Sequence, residues 1–269
     1  MTMPWLEKLS DRYLFIGRLV MESGLHIGGG RDALTTTDSA VMKYIDDRPF
    51  VPGSSMKGAF RSAVERVAGS LSPRVRSCGL FAGNDDDCPT PTHLGTDVTT
   101  VDDDRLADLC HTCGLFGSPF MAAKVRFSDL AVLPETWAGV TEVRDGVGID
   151  RDSERAVDRI KYDYEVVPSE TEFEFRLVLE NPDAERHELG LVAIGLREME
   201  AGMIPIGGIR TRGLGRCRLA DLKIYHLAFN NAAKFKAYLK GGRLESDDFK
   251  LSAEDADSLL NNAIDGLFE

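Results

Sequence analysis

Residues 171–180 read TEFEFRLVLE, with Phe173, Phe175, Leu177 and Leu179 at every second position. Strict alternation of this kind predicts a strand with one buried face. HELGLVAIGLREMEAG at 187–202 fits a helix, and IPIGGIRTRGLGRCRLADLKIYHL then reads as a glycine-rich loop feeding a last strand. Toward the N-terminus, DRYLFIGRLVME (11–22) is rich in β-formers, and DSAVMKYI (38–45) reads as a second strand. SSMKGAFRSAVERVAG (54–69) places Met56, Phe60, Ala63, Val64 and Val67 on one helical face. Ser54 or Ser55 is positioned to cap that helix, and Gly69 to stop it. AKVRFSDLAVL (123–133) returns to strand character. Strands mixed with two helices predict α+β architecture, with helices on one side of an antiparallel sheet. The simplest fit is a ferredoxin-like β-α-β-β-α-β core. Residues 1–230 make up this core, with an acidic, cysteine-bearing insertion at 70–120 and a polar excursion at 138–168. Residues 231–269 are an acidic helical extension.

The 269 residues are 43% hydrophobic, enough to build a real core. No apolar run approaches the roughly 18–20 residues that cross a bilayer. The opening MTMPWLEKLSDRYLF lacks the basic-then-apolar order of a signal peptide. A cytoplasmic location without membrane contact is the expectation. The net charge of −12 is unevenly spread: residues 81–110 and 245–269 each carry −7, which leaves +2 for the rest. An anionic partner for the body of the chain is therefore not excluded.

Five cysteines, an odd count, argue against a disulfide framework. Cys78, Cys88, Cys110 and Cys113 fall within 36 residues, and the last two form a C-x-x-C knuckle. Four thiolates suit a closed, structural Zn²⁺ site that would order an insertion with little to bury. His93 and His111 are alternate ligands. Cys217 reads as core.

Two segments are unusually rich in glycine. HIGGG at 26–30 holds Gly28, Gly29 and Gly30. GGIRTRGLGRCR at 207–218 interleaves glycine with Arg210, Arg212, Arg216 and Arg218. Bare backbone offers N–H groups at close range, and arginine grips phosphate bidentately. Neither segment matches a Walker A or a dinucleotide fingerprint; composition leaves two readings, a site for RNA or another polyphosphate and an ordinary glycine-rich turn with solvated arginines. The 54–69 helix adds Ser54, Ser55, Lys57 and Arg61 near an N-terminus suited to anions. Asp38 alone is an ordinary acid and His26 an ordinary structural histidine. No Ser–His or Cys–His constellation lies nearby.

LHIGGG, TDSAV, PFVPGSSMKGAFRSAVE and the late GGIRTRGLGR together resemble the RAMP superfamily of CRISPR-associated proteins. The nearest likeness within it is to the backbone subunit of type III effector complexes, in its zinc-bearing variant. The resemblance spans about residues 12–226. It implies a modified ferredoxin-like, RRM-like palm that stacks with other RAMP subunits and the large subunit along a CRISPR guide RNA and holds complementary target RNA. It implies a thumb hairpin, placed here at 138–168, and RNA contact along His26, Gly28, Gly29, Gly30, Ser54, Ser55, Lys57, Arg61, Arg210, Arg212 and Arg216. It also implies that Asp38 cleaves target RNA with Mg²⁺ or Mn²⁺. The family pattern is a hydrophobic residue, Asp, a small residue and Pro. Here Thr37-Asp38-Ser39-Ala40 keeps the acid and carries Ala40 at the proline position. The cysteines map onto the family's zinc-bearing insertion. The alternatives are a backbone subunit that binds without cutting, a guide-processing endoribonuclease using His26 as base, and a zinc-ribbon adaptor without an RNA role.

Overall fold

The structure is a computed structural model that describes residues 8–29, 37–71, 73–78, 88, 109–118 and 121–269, with backbone alone at 156–160. Its centre is a four-stranded sheet of β1 (Asp11–Met21), β3 (Val125–Phe127), β7 (Glu172–Glu180) and β8 (Cys217–Ala228). The spatial order is β3-β7-β1-β8, and every neighbouring pair is antiparallel. Two long helices, α1 (Gly53–Gly69) and α3 (Glu188–Glu200), complete the layer.

The alternation in β7 does what it predicts. Phe173, Phe175, Leu177 and Leu179 are fully buried. They share one core with Phe15, Leu19 and Met21 of β1, Met56 and Phe60 of α1, and Leu191 and Leu196 of α3. Burying each such side chain contributes about 1.5–3 kcal/mol. Side chains of opposite parity point to the other sheet face. There Leu14, Tyr225, Leu227 and Phe249 form a separate cluster, joined by Tyr238 and Leu244.

The C-terminal segment supplies that cover. It is two helices, α4 (Ala232–Leu239) and α5 (Ala253–Asp265). Between them, Phe249 and Leu251 hydrogen-bond to β8 through His226 N to Phe249 O (2.8 Å) and Leu251 N to Ile224 O (2.9 Å). Leu260 and Leu267 join the main core.

Three local expectations are corrected. Residues 38–45 form no regular strand; isolated bridges join Gly28 with Val41, Ser39 with Tyr164 and Lys43 with Pro49. The 123–133 run splits at Ser128-Asp129, so β3 joins the main sheet while β4 (Leu130–Ala131) pairs with β2 (Phe50–Val51). Asp129 is taken up elsewhere, because its Oδ1 accepts from Gly53 N at 2.7 Å. That contact explains the third correction. Helix α1 begins at Gly53 after Pro52, and neither Ser54 nor Ser55 caps it. A carboxylate from another segment satisfies the free N–H instead.

The excursion contains a two-stranded ribbon, β5 (Glu142–Ile149) with β6 (Ala156–Val166). Val143, Val147 and Ile149 of β5 are exposed. Among the described residues no helix is long and apolar enough to cross a membrane.

Candidate nucleic-acid interface and metal centre

The two glycine-rich segments, far apart in sequence, pack against each other. Gly208 N donates to His26 O (2.8 Å), and Gly215 N donates to Gly24 O (2.9 Å). Gly207 is demanded by this contact and Gly215 by the closure of its own loop on Ile206. A Cβ on Gly207 (φ +80°) would lie 2.5 Å from His26 O, and one on Gly215 (φ +81°) 2.0 Å from Ile206 O. Gly28, Gly29 and Gly208 are exposed along the resulting ledge. Gly30 lies outside the described residues.

The end of β6 organises this ledge. Alternate residues face opposite ways, and each set meets a different segment. Tyr162 accepts a hydrogen bond from Arg212, and Tyr164 meets the His26 ring edge-on at 5.6 Å. Asp163 and Glu165 clasp the Asp38 segment. Asp38 N donates to Asp163 Oδ1 (2.7 Å), Asp163 N donates to Asp38 Oδ2 (3.0 Å), and Val41 N donates to Glu165 Oε2 (3.1 Å). Lys43 Nζ pairs with Glu165 at 3.1 Å.

His26 is buried at the junction. Its Nδ1 lies 2.7 Å from Glu165 O and its Nε2 3.2 Å from Ser39 Oγ. Both ring nitrogens are thus engaged within the protein, as a bracing histidine requires. Asp38 is exposed, and its Oδ1 has no hydrogen-bond partner among the described residues. An exposed carboxylate oxygen fits the hard-oxygen preference of Mg²⁺ or Mn²⁺.

The cationic residues divide. Arg210 and Arg212 are exposed on the short helical turn Arg210–Arg212 of the second glycine segment. Arg216, also largely exposed, pairs with Glu22 at 2.6 Å. Ser54 is exposed and Ser55 half-buried on the first turn of α1. Lys57 is half-buried with no acidic partner among the described residues, and burial, then Arg61, pushes its pKa down. Arg61 turns to the protein. It binds Glu65 Oε1 (2.7 Å), Gly117 O (2.9 Å) and Cys113 Sγ (3.5 Å).

That last contact leads to the cysteine group. The sulfurs of Cys78, Cys88, Cys110 and Cys113 all lie within 4.8 Å of one another, and three of the four residues are buried. A tetrahedral Zn–S site needs sulfur separations of about 3.8 Å, from bonds of about 2.3 Å. Cys78 Sγ and Cys113 Sγ are 3.5 Å apart, so the group fits a metal with little adjustment. Cys110 precedes α2 (His111–Phe116), and its sulfur accepts from Cys113 N at 3.4 Å. Hydrogen bonds from Cys113, then Cys78 and Cys88, hold the Cys110 thiol well below the usual range. The same contacts with Cys110 push Cys113 and Cys78 up. His111 stands apart from the sulfurs' shell: its Nδ1 accepts from Arg76 N at 3.0 Å. His93 lies outside the described residues. Cys217 is buried in β8, its thiol pushed up to about 12 by burial.

Asp129, Asp163, Glu165 and Tyr162 carry this geometry and were not singled out by sequence. Asp163 and Glu165 sit well over a hundred residues from the segment they hold, so no local spacing reveals them. The alternation in YDYE at 162–165 was the available signal.

The molecule is thus an α+β sheet protein with a glycine-lined ledge and a separate four-cysteine centre. The model of the RAMP superfamily matches residues 18–218, about three quarters of the chain, and the chain belongs to that superfamily. Among curated proteins it is similar to the CRISPR system Cms endoribonuclease Csm3 of Methanothermobacter thermautotrophicus, 25% identical over 226 residues, covering 81% of this chain and 87% of the relative. The protein of that name from Methanocaldococcus jannaschii is 23% identical over 274 residues, covering 96% and 97%. The one from Streptococcus thermophilus is 26% identical over 220 residues, covering 78% and 87%.

Proposed function

We propose that this chain is a guide-RNA-binding backbone subunit of a type III CRISPR effector that also cuts target RNA at Asp38. One observation carries the reading: β6 brings the Asp38 carboxylate, the exposed glycine ledge and Arg212 together. The relatives' names as CRISPR endoribonucleases support it. On this reading the main sheet is the ferredoxin-like palm, residues 1–230, and the β5–β6 ribbon is its thumb. The exposed Val143, Val147 and Ile149 suit a wedge that interrupts a guide–target duplex. Guide RNA runs along Gly28, Gly29 and Gly208, with Ser54, Lys57, Arg210 and Arg212 at its phosphates. Backbone and cationic contacts read shape, and base pairing reads sequence. Other RAMP subunits and the large subunit are the partners, in the cytoplasm.

In the cutting step, a target nucleotide is held so that its 2′-oxygen stands in line with the adjacent phosphorus. Asp38 Oδ1 receives the 2′-hydroxyl proton as that oxygen bonds to phosphorus, the bond from phosphorus to the 5′-oxygen breaks, and the leaving 5′-oxygen takes a proton from water. Arg212 offers positive charge where the phosphate gains negative charge. Mg²⁺ or Mn²⁺, when bound at Asp38, supplies further charge stabilisation. The four cysteines hold a structural Zn²⁺, which fixes α2 against α1 through Arg61.

The test is the chemistry of the product ends. Complexes assembled with guide and complementary RNA should yield a 2′,3′-cyclic phosphate and a 5′-hydroxyl, resolved by mass spectrometry. A 3′-hydroxyl with a 5′-phosphate would contradict this route.

A further inference from the structure

Asp38 lies on a segment with little regular structure of its own, yet its carboxylate is fixed from a distant strand. We infer that Asp163 is the positioning residue for Asp38, so that the ribbon bearing on the RNA also sets the cutting carboxylate. This inference rests on Asp38 being the cutting residue.

The two residues form a closed, reciprocal pair. Each backbone N–H donates to the other's side chain, at 2.7 Å from Asp38 N and 3.0 Å from Asp163 N. An exposed aspartate otherwise samples several rotamers. Here one oxygen, Oδ2, is pinned by the Asp163 N–H, and that leaves Oδ1 to face the ligand. The charged acceptors make both bonds stronger than neutral ones. The segment is held from two sides: by Glu165 N to Ser39 O (2.9 Å) and Val41 N to Glu165 Oε2 on the β6 side, and by Gly29 N to Ala40 O and Met42 N to Ile27 O (both 2.9 Å) on the side of the first glycine segment. Asp38 and Ser39 are thus the part of the segment whose backbone is tied to β6, and a displacement of the ribbon there displaces Asp38 with it.

The N–H that pins Asp38 Oδ2 is backbone and stays in every variant at 163; the property of the Asp163 side chain that matters is an acceptor oxygen, Oδ1, that holds the Asp38 backbone N–H, not its charge. An asparagine carbonyl can accept the same bond; an alanine cannot. In the assembled complex, Asp163→Ala should slow cutting on the order of 10–100-fold, the scale of losing reacting geometry by about an ångström. Target binding should be unchanged. Asp163→Asn should stay within about threefold of wild type. Hydrogen exchange of the peptide covering 37–43 should rise in Asp163→Ala and not in Asp163→Asn. Equal cutting by wild type and Asp163→Ala would overturn the inference. So would an Asp163→Asn loss as large as that of alanine, because the residue would then act by its charge. An Asp38→Ala control separates the two levels. If that variant still cuts, the functional reading fails and takes the inference with it. If it is inactive while Asp163→Ala is fully active, the inference alone fails.

Discussion

The Arg61 guanidinium reaches from α1 to the cysteine centre, with Nη2 at 3.5 Å from Cys113 Sγ and Nη1 at 2.9 Å from Gly117 O. One side chain therefore ties α1 to the four-cysteine loop. A cation donating to a thiolate would also offset the negative charge of four sulfurs around a bound metal. Arg61→Ala should cost about 1.5–3 kcal/mol, the range for hydrogen bonds to charged groups. Lysine should not restore it, because an ammonium lacks the planar fork. Denaturant titration, together with zinc release to a chromophoric chelator, checks this. Unchanged stability and release would remove Arg61 from the centre.

Lys124 and Glu188 make a buried pair at 2.7 Å, with 4% and 0% of their side chains exposed. Burial, outweighing Lys124, pushes the Glu188 pKa up. Lys124→Met should destabilise by about 3–5 kcal/mol, since it strands a buried carboxylate. The double variant Lys124→Met, Glu188→Leu should recover much of that loss in a double-mutant cycle. Additive losses would mean the two residues act independently.

The second glycine segment makes a graded prediction. Gly213 (φ +91°) has open space around its Cβ position, whereas at Gly215 a Cβ would meet Ile206 O. Gly213→Ala should cost about 1–2 kcal/mol of backbone strain alone. Gly215→Ala should cost clearly more in the same thermal melt, because the clash is with backbone. Equal costs would show that the loop relaxes freely.

Glu180 is the acid-sensitive link on the sheet face that the C-terminal segment covers. Burial pushes its pKa up, but hydrogen bonds from Arg126 and Arg12 outweigh this and hold it below the usual glutamate range. A depressed folded value means the stabilisation is present above the ordinary glutamate pKa and is lost as pH falls through the folded one. Salt screens part of it, because Arg126 is 56% exposed. Stability curves of wild type and Glu180→Gln should therefore converge as pH falls below the ordinary glutamate range, and separate above it.

Periodicity made the main sheet and its two helices legible. TEFEFRLVLE and the two helices follow from alternation and helical spacing, which depend on burial of one face. The cysteine spacing marked its site because thiolates have few other uses in such a pattern. What escaped was long-range. Residues 38–45 alternate like a strand but are held by isolated bridges and by Asp163 and Glu165, whose positions follow from tertiary packing. Composition proposed Arg61 for phosphate, and only the fold reveals Gly117 and Cys113 as its partners. The helix start was misplaced for a similar reason: Asp129, supplied from another segment, does the capping that Ser54 and Ser55 offered.

The most direct measurement is cleavage of end-labelled complementary RNA by the guide-loaded complex with Mg²⁺, comparing wild type with Asp38→Ala. Target binding is measured alongside. The account predicts that the variant binds the target as wild type does and stops cutting at the positions this subunit spans. Cutting that persists at those positions would contradict it.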